Sequence, residues 1–212
     1  MDDPQLGGLD GLLLVFNMEL DAAAMHPRAF VVSRADAGPV WPKQAIFAPA
    51  NEDDENRSIM LVGEFGDSTA EHQPTHVAVS GSLFGEDGTR LSGLGTSVSP
   101  FSGPLQVVAV EVLPVGPERC EGAASLVRTY WSDELRGVEP EDLVRVRIQG
   151  RQGESVYPLR FDDHATEHDE AGQDNVLDLC LAEAGAVRRI WVEAGAFHDV
   201  AGHASAAIRL EI

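Results

Sequence analysis

The spacing of apolar runs constrains this chain more than any other feature. Five short segments rich in β-branched and aromatic residues lie in the first half: "GLLLVFNM", "AFVVS", "KQAIFAP", "SIMLVGEF" and "HVAVSGSLF". Seven follow in the second half: "LQVVAVEVLPV", "SLVRTYW", "DLVRVRI", "SVYPLRF", "NVLDLCLA", "RRIWVEAG" and "SAAIRLEI". Gly, Pro, Asp and Asn crowd the gaps, and such short runs between turn residues predict strands. "LVRVRI" alternates cleanly, with Leu143, Arg145 and Arg147 on one face and Val144, Val146 and Ile148 on the other. "LDAAAMHPRA" has room for one helical turn, which Pro27 would end. Strands at this spacing predict sandwiches or barrels. The expected core runs through Leu14, Phe16, Phe30, Ile59, Leu61, Val77, Val79, Val108, Val110, Trp131, Val144, Val146, Ile148, Leu177, Leu179, Ile190 and Val192.

The runs also repeat. "FNMEL" at Phe16–Leu20 precedes "WSDEL" at Trp131–Leu135 by 115 residues, and each is followed by a proline and a strand. "VWP" at Val40 is matched by "VYP" at Val156, and an acidic loop then precedes an apolar strand in both halves. "HVAVSGSLFGEDG" parallels "RIWVEAGAFHDVAG" at the ends. Six matches in one order predict two copies of one domain, 1–102 and 103–212, meeting near "SPFSGP".

Strand, "EL" with a proline-marked turn, strand, acidic hairpin, strand and "AGAFHDVAGHAS" together resemble the bacterial immunoglobulin-like domains of S-layer and adhesin proteins. Asp199 and Gly202 fit the ending of that pattern, whereas His203 stands where the family favours Asn. The resemblance spans about 190 residues by pattern and implies an all-β fold of two tandem immunoglobulin-like β-sandwiches. It further implies a periplasmic or extracellular location and a binding or spacer role, with no catalytic residues. The opening "MDDPQLGGLDG" has neither a basic n-region nor an apolar h-region, so no secretory signal is read in it.

Charge excludes some partners. With 35 acidic against 15 basic residues the net charge is -20. Neither nucleic acid nor an anionic membrane surface suits such a chain, because both are bound through basic groups. No apolar run is long enough to cross a bilayer, so membrane insertion is not expected. The expected partner is a protein or a cell-surface component. Cys120, in "PERCEGAAS", and Cys180, in "NVLDLCLAE", are either two independent thiols or a disulfide tying loop to strand.

Candidate chemistry gathers in the loops. If consecutive strands of the second copy reverse direction, three acidic connections fall at one end of the sandwich. That end would collect Asp133, Glu134, Asp162, Asp163, His164, His168, His198, Asp199 and His203. The candidate metal ligands are His164, His168, Asp162, Asp163, His198, Asp199 and His203; imidazoles with carboxylates suit zinc. The first copy would gather only carboxylates and one histidine, including Glu52, Asp53, Asp54 and Glu55, which suit calcium. The competing expectation is no cofactor, the loops being polar hairpin tips that discourage stray strand pairing. "HATEH" lacks the zincin glutamate, and "SGSLFG" and "SVSPFSG" lack the context of a nucleophile elbow, so a non-enzymatic protein is expected. Trp41, Trp131 and Trp191 read as core or rim residues before they read as a sugar platform.

Overall fold

The computed structural model describes residues 9–49, 56–66, 72–99, 104–115, 119–150, 152–162, 174–183, 187–199 and 201–212. The protein is all-β, and the chain divides into two compact units, Met1–Gly103 and Pro104–Ile212. Among the described residues no helix is long and apolar enough to cross a membrane.

The first unit contains β1 (Asp10–Val15), β2 (Phe30–Arg34), β3 (Gln44–Phe47), β4 (Ser58–Gly63), β5 (Pro74–Val79) and β6 (Gly95–Ser97). They form two antiparallel sheets, β1-β4-β3 and β2-β5-β6. Alternation decides which side chains turn inward. Phe30 and Val32 of β2, Ile59 and Leu61 of β4, and Val77 and Val79 of β5 join Leu20, Phe65 and Leu83 in one buried cluster. Each such side chain contributes roughly 1.5–3 kcal/mol by leaving water. Pro27 does not end a helical turn as expected. It begins one: Pro27–Ala29 is a second 3-10 turn after Ala22–Ala24, because proline fits a first helical position where no amide donor is needed.

The second unit contains β7 (Val107–Leu113), β8 (Ser125–Arg136), β9 (Val146–Gly150), β10 (Ser155–Val156), β11 (Arg160–Asp162), β12 (Asp174–Leu181), β13 (Val187–Val192), β14 (His198–Asp199) and β15 (Ile208–Glu211). One sheet runs β11-β12-β8, with β7 and β14 sharing the far edge of β8; the other runs β10-β9-β13-β15. Between them lies a core of Val127, Trp131, Leu135, Ile148, Leu179 and Ile190, among others. Phe197 closes it, edge-on to Trp131 at 5.2 Å and to Phe161 at 5.7 Å between ring centroids.

Three expectations fail here for local reasons. "SVYPLRF" is two strands: β10 pairs with β9 and β11 with β12, with the donor-less Pro158 between them where the chain changes sheet. Val144 is 69% exposed, because Pro140–Arg145 is a 3-10 helix and the alternation begins only at Val146. Val108 is 51% exposed, because the β7–β8 register slips between Val107 and Ala109.

The same devices occur in each unit. Opposite β12, two residues (Asp174 to Val176) span five of β8 (Leu135 to Tyr130), so Ser132–Glu134 bulge out of the ladder. In the first unit Phe16 N–H donates to Arg57 O and Leu20 N–H to Asn56 O, which leaves Asn17–Glu19 in the same surplus. Leu20 and Leu135, which end the two bulges, are fully buried and face Gly85 and Asp199 respectively. Gly88 N–H donates to Gly85 O, and Gly202 N–H donates to Asp199 O. Both glycines close these turns at positive φ, +81° and +84°, which other residues rarely adopt. Val40 pairs with Val32 as Val156 pairs with Ile148.

Candidate functional site

Among the described residues, the bulge of β8 creates the one place where predicted ligands meet. β14 pairs with the last residues of β8, His198 opposite Arg136 and Asp199 opposite Leu135. Successive residues of a strand face opposite ways, so Asp199 is buried (5% exposed) while His198 is exposed. Asp199 Oδ1 accepts the N–H groups of Ala201 (2.9 Å) and His203 (2.7 Å), and its Oδ2 lies 2.8 Å from His203 Nδ1. Burial opposes the Asp199 charge. The backbone and ring of His203 and the Ala201 N–H outweigh that cost and hold the carboxyl below its ordinary value.

Asp133 stands in the bulge beside this pair. Its Oδ1 accepts the Glu134 N–H at 2.9 Å, while Oδ2 is buried with no hydrogen-bond donor among the described residues. Burial, and secondarily the Asp199 charge, push Asp133 above its ordinary value. Burial and the Asp133 charge do the same to Glu134. Three carboxyls and an imidazole are thus concentrated at one end, with opposite pKa displacements on Asp133 and Asp199. A proton would relieve the crowding, whereas the ligand atoms of these residues do not come close enough together for three of them to share a metal ion.

The other predicted ligands do not join them. Asp163, His164 and His168 lie outside the described residues, as do Glu52–Glu55. Asp162 sits opposite Asp178 on β12, and Asp178 sits opposite Arg128, far along the sheet from Leu135. Its Oδ2 accepts the Cys120 N–H at 2.6 Å and lies 3.4 Å from Arg160 Nη2.

Asp162 belongs to a second constellation, whose buried ion pair sequence reasoning missed. Cys120 and Cys180 are joined by a disulfide with Cα atoms 5.3 Å apart, so of the two cysteine readings the bridged one holds. Cys120, Asp162 and Cys180 are the grouping of ligand-type residues close enough for a metal among the described residues, but the bonded sulfurs are not thiolates. Beside the bridge, Arg128 grips Asp178 bidentately, at 2.9 Å and 3.0 Å, and both side chains are buried. Arg119 approaches the same carboxylate at 3.8 Å. The signal in the sequence was one charge in the middle of each of two apolar strands, "SLVRTYW" and "NVLDLC".

Trp131 is fully buried, Trp41 is 56% exposed at the rim, and Trp191 lies under Arg147 and Arg189, at 4.4 Å and 5.3 Å. Compared with known proteins, the chain matches no family, no curated protein and no solved structure.

Proposed function

We propose that this chain is a non-enzymatic binding or spacer protein, made of two tandem immunoglobulin-like sandwiches that work outside the cytoplasm. One observation carries the reading: the strand order of the second unit. Lettered in chain order from β7, omitting the two-residue β14, its sheets run A-B-E-D and C′-C-F-G, the arrangement of immunoglobulin domains. The first unit has B-E-D and C-F-G, together with the same bulge and the same Asp–Gly turn. The bridge from the A–B connection to strand E supports export, because oxidising compartments preserve such bonds. It is not the B–F bridge of antibody domains, so the resemblance is one of topology.

Fractionating the native host with thiol labelling tests this. The reading expects the chain in the envelope or secreted fraction with both cysteines unlabelled. A cytoplasmic chain with two reactive thiols would overturn it.

A further inference from the structure

Among the described residues the first unit has no counterpart of β7, and the difference leaves a gap. In the second unit β7 lies along β8, and Leu105, two residues before it, is buried in the core and bridges Ser205. Val107 and Val110 of β7 stand opposite Trp131 and Thr129 and pack onto that core. Under this cover Leu126–Trp131 are all buried. In the first unit β1 holds the place of β8, and the bulge equates Phe16 with Trp131 and Leu14 with Thr129. No described strand lies along its outer edge, and every residue from Leu12 to Phe16 is only half-buried.

A cleft lies where the two valines would be. It measures about 140 Å³ and is lined by Leu14 and Phe16 of β1, Val77 and Val79 of β5, and Leu94 and Thr96 around β6. That is close to the volume of a dry cavity able to hold a benzene ring. Leu94, on its rim, is 52% exposed.

The backbone along this edge is ready to pair. Phe16 N–H donates to Arg57 O on the β4 side, so Leu14 and Leu12 turn their backbone groups the same way. Gly11, Leu13 and Val15 therefore present theirs to the open edge. On β8 the equivalent alternate residues face β7, as Ser132 N–H donating to Gln106 O marks.

We propose that the first unit is a strand-acceptor site, completed by an extended segment of another polypeptide that adds antiparallel to β1 and plugs the cleft. β7 supplies the specification: about seven residues, apolar at alternate positions, with valine-sized groups pointing inward. Charge selects among candidates. The first unit carries fifteen acidic and five basic residues, a net of -10, so the positions between the apolar ones are basic or uncharged, and a second copy of this acidic chain is disfavoured. The inference rests on the binding-module reading and names its partner class.

The test uses the full chain and a labelled peptide with the Leu105–Leu113 sequence carrying Glu111→Lys. Saturable binding is expected, and weakened binding by the Glu111 form of the peptide, most visibly at low salt. Leu14→Trp fills the cleft, and Leu13→Pro removes an amide that faces the open edge while sparing every bond to β4. Each should weaken binding about tenfold or more, with Tm near that of the parent. No saturable binding, or binding indifferent to both variants, would overturn the proposal. So would a homodimer dispersed by Leu14→Trp, which makes the occupant a second copy. A cytoplasmic location would defeat the export reading yet leave peptide binding standing, so the two failures are distinguishable.

Discussion

At the scale of single residues, Asp133 and Asp199 show two carboxyls a few residues from one strand end taking opposite roles. Asp199 spends both oxygens on its turn and on His203, so its folded-state pKa is depressed. Such a group stabilises above the unfolded carboxyl pKa, and the contribution is lost as pH falls through the lower folded value. Asp133 is raised by burial, so its ionised form opposes folding at neutral pH, and the penalty disappears as pH falls through its raised folded value. Asp199→Ala is accordingly expected to cost about 2 kcal/mol at pH 7 and less below pH 4, since hydrogen bonds to a charge are being removed. Asp133→Asn is expected to gain up to about 1 kcal/mol at pH 7 and nothing in acid, the gain kept small because the side chain is only half-buried. Urea unfolding of both variants across this pH range reads the two signs; a shared sign would mean the carboxyls are not opposed. The Asp199 turn was legible in "HDVAG", because an aspartate before a positive-φ glycine has a turn-building chemistry of its own. Asp133 was not legible as a bulge residue, because "SDE" reads equally well as an ordinary polar connection.

At the scale of elements, alternation located the apolar strands and placed Val146, Ile148, Ile190 and Val192 correctly in the core. It failed wherever the ladder itself is irregular. Val108 sits at a register slip and Val144 in a 3-10 turn, and neither disturbance changes which residues are apolar. The buried ion pair was hidden for another reason: partners 50 residues apart are set by register, which no local window contains. Once β8 and β12 are aligned, Arg128 falls opposite Asp178 with Glu111 of β7 on its other side. Tyr130 Oη donates to that Glu111 at 3.2 Å, and Thr129 Oγ1 donates to Leu177 O, so the strands are tied by buried polar groups as well as by the ladder. Removing one member of a buried ion pair strands the other charge, at a cost of about 3–5 kcal/mol. Asp178→Ala should therefore lower the urea midpoint sharply, whereas the double variant Arg128→Met with Asp178→Leu should recover most of the loss. If the double variant is as unstable as the single one, the pair is needed for register and not merely for charge balance.

At the scale of the whole molecule, the two units use unequal means to hold one strand order. The second unit has its outer strand, its buried ion pair and a disulfide; the first has none of these among its described residues. The bridge spans 60 residues, so on the chain-entropy account it stabilises the second unit by about 4 kcal/mol. Reduction should then lower the melting of that unit by roughly 15–30 °C, at the usual conversion for a domain of about 100 residues. The sequence of the first unit contains no cysteine and should not respond. Hydrogen-exchange mass spectrometry after mild reduction separates the two, because β8 and β12 should lose amide protection while β4 and β5 keep theirs. Loss in both units would mean that they fold as one cooperative body, so that a partner strand added to β1 would be felt at the disulfide. Loss confined to β8 and β12 would mean that each sandwich answers to its own constraints, with strand addition left to do for the first unit what the disulfide and β7 do for the second.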